Sequence, residues 1–378
     1  MTNRLVVVGG GVLGTMHAVE ALAAGWEVVQ IEREDAPRGA SVRNFGLVWV
    51  SGRAAGPELD LALRARAKWE EIAARCPGTG FRANGSLTVV RRPEELAVLE
   101  QVVARPDAAA RGLRLLEPAE AVATNPALGG LGWDRAADPV LAALHCANDA
   151  AVEPRRVLGA LRDGCLATGR YRWLPGREAT GVADHQVVDG LGERHRGDLV
   201  VLCPGAAHRG LVAEVLDRAP LRRVRLQMLE TEPYRLAAAT SLADGDSLRY
   251  YPAFDVPAGA ALGAQKPAAA DWAAQLLVVQ RSDGSLTVGD THAYDEPFPF
   301  DVDEAPYRHL LSVAGGLLAE PLPPVARRWA GVYSQLVPTA GVGPVYFRAE
   351  VTAGVQVVTG PGGRGMTLSP AIAEETFR

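Results

Sequence analysis

Gly9, Gly11 and Gly14 stand at the spacing G-x-G-x-x-G, directly after the apolar run Arg4-Leu-Val-Val-Val8 and ahead of Thr15 to Ala24, which has helical composition and is stopped by Gly25. Glycines at these positions let backbone approach a pyrophosphate, and the helix N-terminus that follows favours its negative charge. Ala18 is small enough for that helix to pack on a sheet. Glu32 closes a second β-rich run at 27–32, about 20 residues on, where an acidic side chain accepts hydrogen bonds from ribose hydroxyls and disfavours a 2′-phosphate. Together these residues imply a dinucleotide site on a β-turn-α-β unit. The motif alone leaves NAD and FAD both open. Other chemistries fail on pattern: H-E-x-x-H and a Walker Gly-Lys-Ser/Thr are missing, and Gly245-Asp-Ser-Leu-Arg249 lacks the last glycine of G-x-S-x-G.

The elements that must position such a site follow from apolar spacing. Residues 57–76 read as a helix ended by Pro77-Gly78, and short strands and helices follow at 85–91, 93–104 and 117–124. Helical character returns at 154–167, then a buried strand at 198–203 enters the turn Pro204-Gly205. The runs 221–231, 247–251, 275–280 and 285–289 read as strands of one antiparallel sheet around a Pro/Ala/Gly-rich loop at 252–270. From Val355 the chain reads as strand, glycine-rich turn and helix.

With 378 residues, 48% hydrophobic and 22% charged, the chain suits two or three ordinary globular domains. A net charge of −5 offers no reason to expect nucleic acid. Neither a secretory signal nor an apolar run of about 20 residues is visible, so a cytoplasmic protein without a membrane span is expected. Cys76, Cys146, Cys165 and Cys203 are scattered and signal neither zinc nor a disulfide framework, so no metal is expected. Only Lys68 and Lys266 occur among 39 basic residues, leaving 37 arginines. Lysine-based covalent chemistry therefore has few candidates.

Gly9 to Gly14, Glu32, Ala40-Ser-Val-Arg-Asn-Phe-Gly46, Asp198 to Gly205 and Thr359-Gly-Pro-Gly-Gly-Arg-Gly-Met-Thr367, in this order along the whole chain, resemble the D-amino acid oxidase, glycine oxidase and sarcosine oxidase superfamily of FAD enzymes. Ser41-Val-Arg-Asn-Phe-Gly46, Arg225-Leu-Gln-Met-Leu229, Gly289-Asp-Thr-His292 and Gly362 to Pro370 look closest to a bacterial subgroup associated with aminophosphonate breakdown. The resemblance implies an α/β fold: a Rossmann-type FAD-binding domain with an inserted α+β substrate domain carrying a mostly antiparallel sheet. The expected division is 1–80, 145–220 and 325–378 for the first, and 81–144 and 221–324 for the second.

By the same resemblance, Ser41 to Gly46 runs past the flavin ring and Gly360 to Thr367 lies against its pyrimidine edge. Backbone N–H groups at a helix N-terminus suit the negative charge that gathers there on reduction; a plain helix cap is the structural alternative. The residues expected at noncovalent FAD are Gly9, Gly11, Val12, Leu13, Gly14, Glu32, Arg33, Ser41, Asn44, Phe45, Gly46, Pro204, Gly205, Gly360, Gly362, Gly363, Arg364, Gly365, Met366 and Thr367. Relatives that grip a carboxylate use an arginine where Trp329-Ala-Gly-Val-Tyr333 places Tyr333, which disfavours a plain α-amino acid. Thr287 stands where monomeric sarcosine oxidase has its oxygen-activating lysine, so oxygen or another acceptor remains open. Arginine's planar fork suits a phosphonate or carboxylate, and Arg43, Arg249 and Arg364 are the candidate anchors, with Tyr251 beside Arg249. His292, Tyr333 and Arg364 are the candidate catalytic groups, His292 orienting the amine or accepting its proton, or else serving structure alone.

The expected reaction is hydride transfer from the carbon attached to nitrogen to flavin N5, with hydrolysis of the imine to aldehyde and amine. FAD-dependent oxidation of another small amino acid or of a C–OH bond is one alternative. A flavin-binding regulatory protein without turnover is another.

Overall fold

In a computed structural model, residues 2–129, 133, 138–337 and 343–378 are described. Two sheets organise the chain. The first has six strands in the order Phe347–Thr352, Val355–Thr359, Leu199–Leu202, Arg4–Val8, Glu27–Ile31 and Tyr171–Leu174, all parallel except the first pair. Arg4–Val8 and Leu199–Leu202 are near-continuous apolar runs because both faces of a parallel sheet are covered. Helices Val12–Ala23, Pro57–Arg75 and Gly365–Glu374 pack on one another, with Ala62, Ala65, Ala18 and Ala371 permitting close approach. The chain leaves Arg4–Val8 between Glu27–Ile31 and Leu199–Leu202, a point in an open sheet where ligands bind outside the carboxyl ends of strands.

The second sheet has eight strands in the order 325–336, 221–233, 285–289, 277–280, 241–244, 86–90, 142–146 and 113–116. Its pairings are antiparallel except that Ser241–Asp244 runs parallel to Ser86–Val90. Two expectations change here. Residues 247–251 do not form a strand: Ser247–Tyr250 is one helical turn, and Ser241–Asp244 is the strand instead, inside the sheet between 277–280 and 86–90. Val325–Leu336, expected with the first sheet, pairs along Leu221–Pro233 from Leu336 back to Val325. Its alternating apolar residues Val332 and Leu336 lie among residues of odd parity that are also covered, so neighbouring elements decide its placement more than period does.

A small number of buried polar groups tie the two sheets together. Asp149, fully buried, accepts from the Val50 and Ser51 N–H groups at 2.5 and 3.0 Å and from the Ser51 and Ser86 hydroxyls, both at 2.6 Å. Arg281 donates to the carbonyls of Phe45 at 2.6 Å and Val152 at 3.3 Å. Both contacts fix the path of residues 45–53, which run between the sheets. Cys76, Cys146, Cys165 and Cys203 are free, and burial pushes the Cys165 and Cys203 thiols up to about 12. Among the described residues no helix is long and apolar enough to cross a membrane.

His17 joins the first helix to the chain's last turn, its Nδ1 lying 2.7 Å from the Leu13 carbonyl and its Nε2 2.9 Å from Thr376 Oγ1. Burial holds its pKa down at about 4, against 6.5 for a free histidine. The unfolded chain therefore binds this proton below about pH 6.5 while the folded one refuses it until about pH 4, so stability falls as pH drops through that window, by up to about 3 kcal/mol. Urea midpoints measured at pH 7 and pH 5 should separate more for the native chain than for His17→Gln; equal separations would remove His17 as the cause.

Candidate active site

A cavity of about 1190 Å³ opens at the carboxyl ends of the first sheet and extends to the face of the second. At one end the turn 9–14 is shaped by contacts that only glycine tolerates. Gly9 has φ of +111°, and a Cβ there would lie 2.4 Å from the Cys203 carbonyl oxygen; at Gly14 it would lie 2.1 Å from the Gly9 carbonyl. Gln30 fixes the turn by donating to the Gly9 carbonyl at 2.8 Å, and is itself held by the Tyr171 hydroxyl at 2.7 Å. Helix Val12–Ala23 carries no acidic side chain in its first turn, so nothing there opposes an anion.

Glu32 accepts from Gly10 N–H at 2.6 Å and from Glu34 N–H at 3.0 Å. A carboxylate has about four acceptor sites, so capacity remains for a diol at the cavity wall. Ser41 Oγ accepts from Val12 N–H at 2.9 Å, bringing 40–46 over the helix N-terminus. Asn44 is occupied locally, donating to Ala40 O at 2.8 Å and accepting from Gly46 N–H at 2.7 Å. Thr367 Oγ1 accepts from Trp49 N–H at 2.9 Å, and Trp69 Nε1 donates to Met366 O at 2.8 Å, so the last helix is anchored to this same segment.

Of the residues expected at the cofactor, Gly9, Gly11, Val12, Leu13, Gly14, Glu32, Arg33, Ser41, Asn44, Phe45, Pro204, Gly205 and Gly362 to Thr367 line the cavity. Gly46 and Gly360 do not. At Gly46 a Cβ would meet the Val152 carbonyl at 2.1 Å, and at Gly360 the Leu221 side chain at 2.6 Å; each is glycine because protein packs against it. The N-termini of two helices, Val12–Ala23 and Gly365–Glu374, thus open on one elongated cavity, and the residues fit a noncovalent dinucleotide with a second anionic edge.

The far end is aromatic and charged. Tyr250 and Tyr251 meet edge to face at 5.0 Å, Tyr250 stacks on the His292 ring at 4.4 Å, and Trp49 lies 5.9 Å from Tyr251. Burial, and then the nearby Asp290 carboxylate, push the Tyr250 hydroxyl up to about 12; burial also raises Tyr251 and Tyr333 well above their ordinary value. His292 lines the cavity with Nδ1 3.1 Å from the Ala273 carbonyl. Four buried polar atoms in this wall have no hydrogen-bond partner: Trp49 Nε1, Gln275 Oε1, Asp290 Oδ1 and Tyr333 Oη. Orphaned groups of this kind are uncommon and gather where a ligand binds.

The three arginines expected to anchor an anion differ in what they are free to do. Arg249 is spent on protein: Nε and Nη2 donate to Gly263 O at 3.0 and 2.7 Å, and Nη1 reaches Gly245 O and Asp246 at 3.3 Å. Arg43 is exposed and tied to the Arg38 and Ala330 carbonyls at 2.8 Å. Arg364 donates to Glu58 Oε1 at 3.2 Å. Sequence reading passed over Arg53 and Glu58. Arg53 lies with Nη1 3.6 Å from the same Glu58 oxygen, its Nε donating to Trp49 O at 2.9 Å and its guanidinium 5.5 Å over the Tyr251 ring. Two guanidiniums sharing one carboxylate leave a net positive charge in a low-dielectric wall, which suits an anion. Burial lowers the Arg53 pKa and Glu58 opposes that shift. Among the described lining residues ten are arginines and five are acidic.

Comparison with known proteins agrees with this cavity. The structure is similar to glycine oxidase from Bacillus cereus ATCC 14579 (TM-score 0.76, 16% identity, covering 99% of this chain and 93% of that one). It is similar also to glycine oxidase from Geobacillus kaustophilus (0.74, 20%, 98% and 93%) and to iminodiacetate oxidase from Chelativorans sp. BNC1 (0.72, 18%, 98% and 93%). At these identities the likeness establishes the fold. Residues 4–378 match the profile of the DAO family, FAD dependent oxidoreductase. The chain belongs to that family and is an FAD-dependent oxidoreductase.

Proposed function

We propose that this protein oxidises the C–N bond of a small amine that carries an anionic group, an aminophosphonate of the N-alkyl-2-aminoethylphosphonate type, in the cytoplasm. The observation that carries the reading is the Arg53–Glu58–Arg364 cluster in the wall beside the glycine loop 362–365. Bound FAD supplies the two-electron acceptor for the carbon next to nitrogen, and oxygen or another acceptor reoxidises it. Gly9, Gly11, Val12, Leu13, Gly14, Glu32, Arg33 and Ser41 hold its dinucleotide part, and Phe45 and Gly362 to Thr367 hold its ring. Arg53 and Arg364 hold the substrate anion and so fix which carbon faces the ring. Tyr250, Tyr251 and Tyr333 exclude water, which strengthens every charge interaction inside. His292, stacked on Tyr250, orients this wall. Residues 81–144 and 221–324 form the substrate domain of this reading, and strand 325–336 joins it by its pairing.

Glycine oxidase and iminodiacetate oxidase, proteins of this fold, are named for amine substrates, which supports the C–N assignment. The test is the visible spectrum of the anaerobic protein before and after N-methyl-2-aminoethylphosphonate, 2-aminoethylphosphonate, sarcosine, glycine, a D-amino acid or glycerol 3-phosphate. Bleaching by an aminophosphonate, with aldehyde and amine as products, is the expected result. Bleaching by glycerol 3-phosphate alone would move the reaction to a C–OH bond. A bound flavin that none of them bleaches would remove the substrate class.

A further inference from the structure

Strand Ser285–Gly289 ends beside the cavity at a crowded point: a Cβ on Gly289 would lie 3.1 Å from the Phe45 ring and 3.1 Å from Met228. The next residue, Asp290, is held by its backbone, donating to Gln275 O at 2.8 Å and accepting from Gln275 N–H at 3.1 Å. Its side chain is therefore not needed to fix the chain's path. That side chain lines the cavity and is 8% exposed. One carboxylate oxygen has no hydrogen-bond partner; the Gln275 side chain and the residue's own N–H support the group, and His292 Nε2 lies 3.9 Å from the other oxygen.

Burying a carboxylate with one oxygen left unpartnered is costly. An acid is retained in such a place when something cationic completes it. Around it stand Tyr250 and Tyr251 from the helical turn, Tyr294 and His292 from its own segment, and Tyr333 from strand 325–336, all within electrostatic reach of it. A buried carboxylate among aromatic side chains attracts an ammonium through the ion pair, which a low-dielectric wall strengthens. The guanidiniums of Arg53 and Arg364 occupy the wall at the Glu58 cluster, so the cavity presents separate positive and negative features to one zwitterion.

We propose that Asp290 is the residue that receives the substrate's ammonium and takes its proton, which makes this site selective for zwitterions over plain anions. The inference rests on the amine reading given above. In the proton step the ammonium N–H bond breaks, an O–H bond forms on the Asp290 carboxylate, and the electron pair stays on nitrogen, leaving the neutral amine that oxidation requires. Burial raises the Asp290 pKa while His292 opposes that shift, so the carboxylate is a stronger base than an exposed aspartate.

The test uses the holoprotein reduced anaerobically with dithionite, so that no turnover contributes, and calorimetric titration with 2-aminoethylphosphonate and with propylphosphonate, in which a methyl replaces the ammonium. The native chain should bind the aminophosphonate about ten-fold or more tightly than its isostere, and Asp290→Asn, checked for retained FAD, should bind the two within about two-fold. The same preference in Asp290→Asn, or none in the native chain, overturns the proposal. Should Asp290→Asn fail to fold, Asp290→Ser, which also removes the carboxylate, takes its place under the same two criteria. Because binding is read without oxidation, an amine that binds through Asp290 yet never bleaches the flavin would sink the oxidation reading alone. Bleaching together with an unchanged preference in Asp290→Asn would sink only the role of Asp290.

Discussion

Gly9→Ala is expected to purify with little or no flavin and to melt well below the native chain. Two penalties coincide at this position. The backbone has φ of +111°, which an L side chain adopts only at a cost of about 1–3 kcal/mol. The new methyl would also sit 2.4 Å from the Cys203 carbonyl, so the strand and the turn must part, at a further cost of about 1–3 kcal/mol. Their sum is a large share of the roughly 5–15 kcal/mol that keeps a domain folded. Gly25→Ala is the matched control, since φ is +88° but nothing lies within 4 Å of the added carbon. It should lose about 1–2 kcal/mol and keep its flavin. The ratio of flavin to protein absorbance, with a thermal melt, reads both effects; a Gly9→Ala protein that holds flavin as Gly25→Ala does would show that the close approach of turn to strand is dispensable.

Arg53→Met should raise KM for an anionic amine by about 10- to 150-fold, the range expected for losing a hydrogen bond to a charged group worth about 1.5–3 kcal/mol. The change in kcat should be small, because Arg364, still held by Glu58, remains to position the anion once the substrate is bound. Methionine keeps much of the apolar stem, and Glu58 retains Arg364 at 3.2 Å and the Ala54 N–H at 3.3 Å. An alkylamine of the same length without the phosphonate should show almost no change in KM. Equal losses with both amines would mean that Arg53 shapes the wall and does not bind the anion.

The nucleotide end of the cavity was legible from residue types because backbone geometry there admits almost nothing but glycine, and because Glu32 follows at the distance one βαβ unit imposes. The charged end was not. Among 37 arginines, Arg53 has no local mark; its significance comes from Asp149 gripping Val50 and Ser51 and from Glu58 being brought to the cavity by the helix Pro57–Arg75. Arg249 looked equally placed beside two tyrosines, yet the loop that returns Gly263 to it uses its donors. Asp290 was hidden by His292, a residue type that draws attention in any reading of titratable groups. The segment 247–251 has the aromatic content of a strand, and tertiary context turned it into a helical turn: a Cβ on Gly245 would fall 2.5 Å from the Glu95 carboxylate, so the chain bends there.

The order of strands in the first sheet has a consequence for biosynthesis. Arg4–Val8 finds one neighbour in Glu27–Ile31 soon after it is made, but its other neighbour is Leu199–Leu202, and that strand in turn waits for Val355–Thr359. At ordinary elongation rates the interval from Val8 to Thr359 lasts roughly 20–70 s. Throughout it the nascent chain carries an apolar strand with an unpaired edge, a state prone to pairing with other chains. The glycine loop 362–365 arrives last of all, so flavin supplied during translation finds a complete binding surface only on finished chains. Yield in cells is then set by how well the half-made sheet is shielded, and riboflavin supplementation should rescue mutants of the late loop far better than mutants of the early strands.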